Sequence, residues 1–397
     1  MIGSKLGLAM GFTPTSPPQD VGAVDKIALP LAFGQTPLVE EGQAVEIGEM
    51  VAGSCGGAAA IHASISGTVV KIGNQNCHFG RIAPTIFIEN DGENRLCLAS
   101  PKAILRDESK LELLELLDNR GVTDQEGRSL AVVLAARLSP ISTLILCGMD
   151  REPFLTTEDG ALCFCGEDVL SGMRILQRIT VARETVVALS AHQKTAIDQV
   201  SGWVGRGLRV AVTAGHYPHG DPKLLAQLVG ACDLEEELEE AGVLVVSATA
   251  AMNVARAIYG GRGITRNLVT VANDKSAILL DVPIGISTKK LLDFAGYAGE
   301  TVILGGPMQG TVLQDLEVPI SPGVGGISLL RQVAGVSPTA CIRCGNCAEV
   351  CPVGLRPYAR RGGKTVHWNR CLHCGACQYV CPAGRLGQPT KEVATVG

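Results

Sequence analysis

The sequence predicts a multidomain α/β protein with a cysteine-rich carboxyl-terminal domain, and three observations lead to this expectation. Two cysteine runs of identical spacing stand near the carboxyl end, at residues 341–352 and 371–382. Short apolar, β-branched runs alternate with helical patterns between residues 104 and 262, which is typical of a mostly parallel sheet covered by helices. Residues 24–90 contain short apolar runs separated by turn glycines, which predicts an all-β region.

Composition restricts the class of protein. A chain of 397 residues is long enough for two to four domains. Its hydrophobic content of 46% with only 4% aromatics predicts cores built from aliphatic side chains. The net charge of −5 provides no basic footprint for nucleic acid. We find neither an export signal nor an apolar stretch long enough to span a bilayer. We therefore expect a cytoplasmic protein that reaches a membrane only through partners.

The all-β domain is expected at residues 1–100, and its clearest part is residues 61–72, a turn followed by an alternating strand. This stretch resembles the lipoyl and biotinyl carrier fold, a flattened β-barrel. Carriers place a lysine at the hairpin tip, whereas Ser66 and Gly67 stand there in this chain. The resemblance implies a carrier-like barrel-sandwich scaffold without a swinging arm. We interpret His62 as a structural histidine, with metal ligation as the alternative.

The α/β domain is expected at residues 101–262, and helical spacing begins at residues 111–117. Ligands usually bind in loops at the carboxyl ends of such strands. We interpret the acidic run at residues 233–240 as a solvated helix face. The strands are predicted at residues 142–147, 185–189, 208–213 and 243–246, and the following helices at residues 169–178, 221–230 and 250–259.

The chain is expected to continue with a small ββαβ unit at residues 263–318. A glycine- and proline-rich linker is predicted at residues 319–337, before the cysteine-rich domain at residues 338–397. Within the ββαβ unit, strands are predicted at residues 268–271, 276–280 and 301–304, and a helix at residues 288–295.

Each cysteine run has the spacing C-x2-C-x2-C-x3-C-P, by which bacterial ferredoxins hold 4Fe-4S clusters. In two-cluster proteins the fourth cysteine of each run ligates the cluster of the other run. Paired zinc knuckles would need no third cysteine at the same step, and disulfides are not expected in a reducing compartment. We therefore predict two 4Fe-4S clusters, one held by Cys341, Cys344, Cys347 and Cys381, the second by Cys371, Cys374, Cys377 and Cys351.

Seven further cysteines are expected to be reduced thiols, most of them buried. One pair, Cys163 and Cys165, has a C-x-C spacing for which metal ligation is the alternative. The seven are Cys55, Cys77, Cys97, Cys147, Cys163, Cys165 and Cys232.

The order of these regions resembles RnfC, a component of the Rnf electron-transport complex, and the cobalamin reductase of propanediol-utilising microcompartments. Besides the cysteine runs, the resemblance is strongest at residues 62–69, 149–154 and 217–223, and the ββαβ unit ends in Gly-Gly-Pro-Met at residues 305–308. The α/β and ββαβ parts also resemble the NADH-binding flavoprotein subunit of respiratory complex I, whose small unit is of the SLBB type. These resemblances imply that electrons pass through clusters, and through flavin where it is present.

One motif departs from the family pattern. Full family members carry Gly-x-Gly-Gly-Ala-Gly-Phe-Pro-Thr, whose glycines let the backbone approach flavin and nicotinamide phosphates. The corresponding residues 121–131 keep two glycines, and Asp124 and Glu126 add negative charge there. The resemblance thus implies a degenerate nucleotide site in which NADH binding is not expected. An FMN pocket is the weaker alternative, with candidate residues Glu152, Tyr217, Gly220 and Lys223.

The leading interpretation is an electron-transfer subunit that works with other subunits of an oxidoreductase assembly. The alternatives are a self-contained NADH-dependent flavin and iron–sulfur reductase that serves a corrinoid protein, and a scaffold subunit with structural clusters. The basic spacer between the cysteine runs is a docking face for an acidic carrier, such as ferredoxin or flavodoxin, or else a solvated loop. Its cationic residues are Arg356, Arg360, Arg361, Lys364 and Arg370.

Overall fold

The computed structural model describes most of the chain, and the fold is described for the following ranges. These are residues 10–77, 81–101, 108–205, 207–297, 301–330, 340–358, 370–384 and 391–392. Within them the strands form sheets of seven, four, four and two strands. No helix in the described part of the chain combines the length and apolar character needed to cross a bilayer.

The amino-terminal strands form the expected all-β unit. A four-stranded sheet has the order β2-β7-β6-β3, and β4 pairs with β5 beside it. Gly67 begins the long strand β6 because a Cβ there would lie 1.8 Å from the carbonyl oxygen of Glu89. The strands are β2 (Lys26–Pro30), β3 (Ala44–Val45), β4 (Met50–Ala52), β5 (Ile61–His62), β6 (Gly67–Cys77) and β7 (Arg81–Asn90).

His62 is buried where the β unit meets the next one, and a Cβ on Gly263 would lie 2.1 Å from its ring. Burial lowers the pKa of His62 to about 4, so the imidazole is neutral at physiological pH. A neutral, tightly packed ring in this position is consistent with a structural histidine.

The α/β unit has a parallel four-stranded sheet of order β10-β9-β8-β11. The four predicted strands are present, and the predicted helix at residues 169–178 is the second half of a longer helix with a kink at Cys165. The elements are α1 (Lys110–Asn119), α2 (Leu130–Ala135), β8 (Thr143–Cys147), α3 (Thr157–Thr180), β9 (Glu184–Ser190), α4 (Lys194–Ser201), β10 (Arg209–Thr213), α5 (Pro222–Leu228), β11 (Val243–Ser247) and α6 (Ala248–Gly260).

Side-chain caps fix where these helices begin. Ser109 and Glu112 form a reciprocal capping box at the start of α1. The carboxylate of Asp221 accepts from the backbone N–H groups of Lys223 and Leu224, and Pro222 is the first residue of α5. The carboxyl ends of β8, β9 and β10 therefore lead into well-defined turns, which carry residues 148–154, 191–193 and 214–221.

The third unit is a mixed seven-stranded sheet of order β1-β13-β12-β16-β14-β15-β17. The predicted hairpin, helix and strand of the ββαβ unit are all present. The predicted linker at residues 319–337 is wrong in part, because residues 326–330 form a strand between β12 and β14. The elements are β1 (Gln19–Asp20), β12 (Arg266–Ala272), β13 (Ala277–Pro283), α7 (Thr288–Ala295), β14 (Thr301–Leu304), β15 (Thr311–Val312), β16 (Gly326–Leu330) and β17 (Lys391–Glu392).

The cysteine-rich domain has two one-turn helices, α8 (Asn346–Glu349) and α9 (Ala376–Tyr379). It packs on the α/β unit partly through the acidic run at residues 233–240. That run is a series of turns and not the predicted helix, and its Leu234 is buried against Val353 and Leu355 of the cysteine-rich domain. The leucine in the run is therefore an anchor between domains.

Candidate iron–sulfur site

The two cysteine runs follow the same backbone path. The residue before the second cysteine has a left-handed conformation in both runs, with φ of 56° at Arg343 and 52° at His373. The residue after it is a glycine with φ of 86° at Gly345 and 75° at Gly375, a conformation that glycine adopts without steric cost. Successive left-handed residues turn backbone N–H groups to one side, which creates a concave site for anionic groups.

The second run surrounds a cavity of about 120 Å³. Three cysteines of this run line it, and Cys351 of the first run completes the lining. The four thiols assigned to the second cluster thus come together around one enclosed space. They are Cys351, Cys371, Cys374 and Cys377.

The electrostatics of the thiols show the same grouping. Burial raises the pKa of Cys374 to about 12 and that of Cys377 to about 11, and the neighbouring thiols of Cys351 and Cys371 raise both further. In the first run, burial raises the pKa of Cys347, and the thiols of Cys344 and Cys381 add to this effect. Cys381 therefore lies near the first run, as crossed ligation requires.

The donor set suits a cube-shaped cluster. In the described ranges no group of three or more His, Cys, Asp or Glu side chains could hold a single metal ion. A 4Fe-4S cube is bound differently, because its cysteine ligands surround a volume and do not converge on one point. Four thiols around a cavity fit this requirement, and metal binding would release the protons that burial holds on them.

Glu152, the first candidate for a flavin pocket, holds a turn of the third unit. Its carboxylate accepts from the backbone N–H groups of Met308 and Gln309, both at 2.7 Å. Burial raises the pKa of Glu152 to about 7, although these two hydrogen bonds oppose the shift. Gln309 in turn donates from Nε2 to the carbonyl oxygen of His373 at 3.1 Å. The carboxylate therefore supports a contact with the second cysteine run.

Tyr217 also contacts the second run. Its side chain is only 2% exposed, and its hydroxyl donates to the backbone carbonyl oxygen of Cys374. Burial, with the carboxylate of Glu152 nearby, raises the pKa of Tyr217, so the hydroxyl remains a donor. This contact joins the turn after β10 to a cluster ligand.

Gly220 and Lys223 lie elsewhere. A Cβ on Gly220 would lie 3.1 Å from the carbonyl oxygen of Asp150, and Gly220 lines a small cavity of about 40 Å³. Lys223 forms an ion pair with Glu237 at 2.6 Å and lines an open groove of about 710 Å³ beside β11. Glu152 lines a third cavity, of about 210 Å³. The four candidate residues thus do not share one cavity.

The acidic loop at residues 121–131 borders the cavity of Glu152, and its charges are paired. Arg128 contacts Asp124 at 2.6 Å and Glu126 at 2.6 Å. The other oxygen of Glu126 contacts Arg151 at 2.7 Å. The two carboxylates and the two guanidinium groups form one network beside the cavity.

The basic spacer is only partly described. Arg370 contacts Glu235 of the acidic run at 3.2 Å, whereas Arg360, Arg361 and Lys364 lie outside the described residues. Part of the basic charge predicted to meet an external partner therefore meets a carboxylate of the same chain.

The C-x-C pair is separated by its contacts. The thiol of Cys163 donates to a carboxylate oxygen of Asp159 at 3.6 Å, and Cys165 accepts from Arg256 at 3.4 Å. Burial raises the pKa of Cys163 to about 12. The two thiols thus have different partners at the kink of α3.

Comparisons with known proteins decide the family. The RnfC barrel sandwich hybrid domain matches residues 12–93, and the 4Fe-4S dicluster domain matches residues 339–385. The RnfC-type component of an ion-translocating oxidoreductase complex from Pseudomonas aeruginosa is 34% identical over 340 residues, which cover 81% of this chain and 44% of the relative. The chain is an RnfC-like protein.

Other comparisons are more distant. The corresponding component of a Na+-translocating ferredoxin:NAD+ oxidoreductase complex from Acetobacterium woodii is 26% identical over 338 residues, covering 81% of this chain and 76% of the relative. A crystal structure of an NAD+-reducing NiFe hydrogenase in the air-oxidized state matches with a TM-score of 0.49 and 18% identity, covering 62% of this chain and 49% of that one. The RnfC-like chain spans about half the length of the first relatives it matches, with 44% and 50% covered.

Two residues at the site of this RnfC-like chain carry little or no signal in the sequence. Gln309 directly follows the Gly-Gly-Pro-Met motif, but nothing in its type or spacing indicates a contact with His373. Leu234 stands alone among acidic residues, and an isolated apolar residue in an otherwise charged run was the available signal that it is buried.

Proposed function

We propose that this RnfC-like chain is an electron-transfer subunit that relays electrons through two 4Fe-4S clusters within a larger oxidoreductase assembly. The observation that carries the proposal is the cavity shared by Cys351 and the three cysteines of the second run. A cysteine from one run in the lining of the other is the arrangement that two-cluster ferredoxin domains require. Crossed ligation, with Cys381 in the first cluster, is part of this proposal.

The clusters, when bound, supply one-electron carriers. The residues of the chain hold them in place and exclude water. Ala376 is fully buried and Val350 is 4% exposed, and with Cys374, Cys377 and Val380 they form an apolar cluster beside the second run. Burial and hydrogen bonding of this kind tune the reduction potential of a cluster.

The partners we propose are other subunits of an Rnf-type complex. The relative from Acetobacterium woodii belongs to a complex named for ferredoxin and NAD+. For this chain we propose a ferredoxin or a flavodoxin as the electron carrier, or a flavoprotein. The third unit would be the SLBB-like support on which the cluster domain rests.

We further propose that the nucleotide site is degenerate. The cavity beside the loop at residues 121–131 has a volume of about 210 Å³, which is below the roughly 300 Å³ at which pockets for small ligands begin. Asp124, Asp150, Glu152 and Glu158 line it, and carboxylates are poor neighbours for a phosphate. FMN does not fit this lining, so we expect electrons to enter from a partner and not from bound NADH.

Anaerobic reconstitution with iron and sulfide tests this function. We expect eight irons and eight sulfides per chain, and no fast bleaching of the clusters by NADH alone. Four irons, or zinc in their place, would contradict the two-cluster assignment. Rapid reduction by NADH together with a flavin absorbance would favour the self-contained reductase. Clusters that no low-potential donor reduces would favour the structural scaffold.

The change Cys381→Ser tests crossed ligation. Because Cys381 lies near the first run, the spectrum of the first-run cluster should change while that of the second-run cluster stays as in the parent. The matched change Cys351→Ser should have the converse effect. Electron paramagnetic resonance of the reduced variants distinguishes the two clusters, and a Cys381→Ser spectrum altered only at the second run would refute the crossing.

A further inference from the structure

The cysteine-rich domain contacts the rest of the chain through its second run. Two side chains of the α/β and third units donate hydrogen bonds to adjacent backbone carbonyls of this run. The hydroxyl of Tyr217 donates to Cys374, and Nε2 of Gln309 donates to His373 at 3.1 Å. Both acceptors lie in the turn that precedes α9, where the chain bends around the cavity for the cluster.

The donor of the second bond is held in place from below. Glu152 accepts from the backbone N–H groups of Met308 and Gln309 at 2.7 Å each. A Cβ on Gly306 would lie 2.1 Å from the Cβ of Glu152, so the turn rests directly on the carboxylate side chain. Met308 is 1% exposed and packs with Tyr217 against the cysteine-rich domain. The turn is therefore ordered before the second run contacts it.

Two further contacts continue on the other side of the same run. Leu234 packs in one apolar cluster with Cys351, Cys371 and Leu372. Glu235 contacts Arg370, directly before the first cysteine of the run, at 3.2 Å. This ion pair is largely exposed, so the packing of Leu234 contributes more than the pair does.

The first run has a different environment. Ile342 is 64% exposed, and Arg343, Cys344 and Asn346 are exposed as well. In the second run, Gly375 and Ala376 are buried and all three cysteines are at least partly covered. The two runs have the same local fold, so the difference arises from what packs on them.

We propose that Tyr217 and Gln309 form a seat that positions the second-run cluster against the α/β and third units, with Glu152 as the residue that holds Gln309. The first-run cluster is then the one that faces solvent. The proposal rests on the proposed function, since it assumes that both clusters are present. All three residues are positioning residues, because they contact the backbone of the ligand loop or the turn beneath it.

The seat has two physical consequences. Each neutral hydrogen bond between buried groups contributes about 1 kcal/mol, so two of them restrict local opening of the ligand loop. A donor directed at the carbonyl of a ligand residue also stabilises the more negative, reduced cluster, because hydrogen bonds around a cluster help to set its potential. Loss of the donor therefore lowers the potential of the second-run cluster.

The test uses the full chain with both clusters reconstituted. Tyr217→Phe removes only the hydroxyl, Gln309→Leu removes only the donor, and the double variant removes both. The matched control is Tyr379→Phe, a tyrosine on α9 that is 45% exposed. Amide hydrogen exchange and a potentiometric titration followed by electron paramagnetic resonance are measured on each protein.

In the double variant, exchange at residues 371–377 should be at least tenfold faster than in the parent, which corresponds to about 1.4 kcal/mol. Exchange at residues 341–347 should stay within twofold of the parent. The potential of the second-run cluster should fall and that of the first-run cluster should not. Tyr379→Phe should match the parent in both measurements.

Equal exchange rates in the parent and the double variant would overturn the proposal, and so would a change of equal size in both runs. If the double variant loses iron, selective loss of the second-run cluster supports the seat, whereas equal loss of both clusters overturns it. A parent protein that binds no cluster would refute the proposed function. Hydrogen exchange of residues 371–377 in that protein would still test the contacts of Tyr217 and Gln309.

Discussion

At the scale of single residues, Asp150 has the most perturbed environment among the buried carboxyls with a defined role. It follows β8 and accepts from the backbone N–H groups of Glu158 at 2.9 Å and Asp159 at 3.4 Å, in the first turn of α3. Burial raises the pKa of Asp150 to about 8, and the nearby carboxylate of Glu158 raises it further. The side chain is a cap whose charge is suppressed at neutral pH.

This pKa predicts a pH dependence of stability. In the unfolded chain Asp150 has a pKa of about 3.9, so between pH 4 and pH 8 the folded state holds a proton that the unfolded state has lost. The free energy of unfolding therefore falls as pH rises through this window. Asp150→Asn keeps an oxygen acceptor without titrating, and should reduce the slope by up to about 1.4 kcal/mol per pH unit.

Urea unfolding of the parent and of Asp150→Asn at half-unit steps from pH 4 to pH 9 measures the difference. Asp274→Asn, at an exposed position, is the control and should follow the parent. Parallel pH profiles for Asp150→Asn and the parent would show that the buried carboxyl does not titrate in this window.

At the scale of elements, the crossing of α3 and α6 depends on one glycine. A Cβ on Gly172 would lie 1.7 Å from the carbonyl oxygen of Ala251, so the two helices approach each other at a point where no side chain fits. This backbone contact cannot relax without moving one helix, because interiors are close-packed. The crossing covers the core of the α/β unit on one face of the parallel sheet.

Gly172→Ala should destabilise the α/β unit by about 1–3 kcal/mol, because overpacking outweighs the gain in helix propensity of about 1 kcal/mol. Gly260→Ala is the matched control in α6, since no heavy atom lies within 4 Å of a Cβ built there. It should be neutral or slightly stabilising. The midpoint of urea unfolding compares the two, and equal midpoints would mean that the helices separate at little cost.

The elements also indicate which parts of the fold the sequence could predict. The strands β8 to β11 and the hairpin of β12 and β13 were predictable because their apolar runs are local and bounded by turn residues. Strand β16 was not, because residues 319–337 are rich in glycine and proline. Its strand conformation comes from non-local pairing, with Thr270 opposite Gly326 and Leu304 opposite Ile327.

The site divides in the same way. Crossed ligation follows from cysteine spacing, which is a local property of each run. The seat formed by Tyr217 and Gln309 depends on turns that are far apart in sequence from His373 and Cys374, and no spacing encodes that contact. Glu152 and Tyr217 were singled out for a flavin pocket, whereas the contacts of both side chains lead to the second run.

At the scale of the whole molecule, the two clusters have unequal protection. The second run is enclosed by Tyr217, by the turn at residues 306–309 and by the acidic run at residues 233–240. The first run presents Ile342 and Cys344 to solvent. Oxidation and loss of iron depend on access of the reagent to the cluster and its thiolates, so the enclosed cluster should outlast the exposed one.

Exposure to limited ferricyanide or to air should therefore remove the first-run cluster before the second. Electron paramagnetic resonance of samples reduced after increasing exposure times follows both signals, and iron content should pass through a stage near four per chain. The Tyr217→Phe, Gln309→Leu double variant should shorten the interval between the two losses, because its second run opens more often. Loss of the second-run signal first, or simultaneous loss of both, would mean that the surrounding units do not shield the cluster they contact, and the solvent-facing end of the electron path would then have to be assigned to the second run.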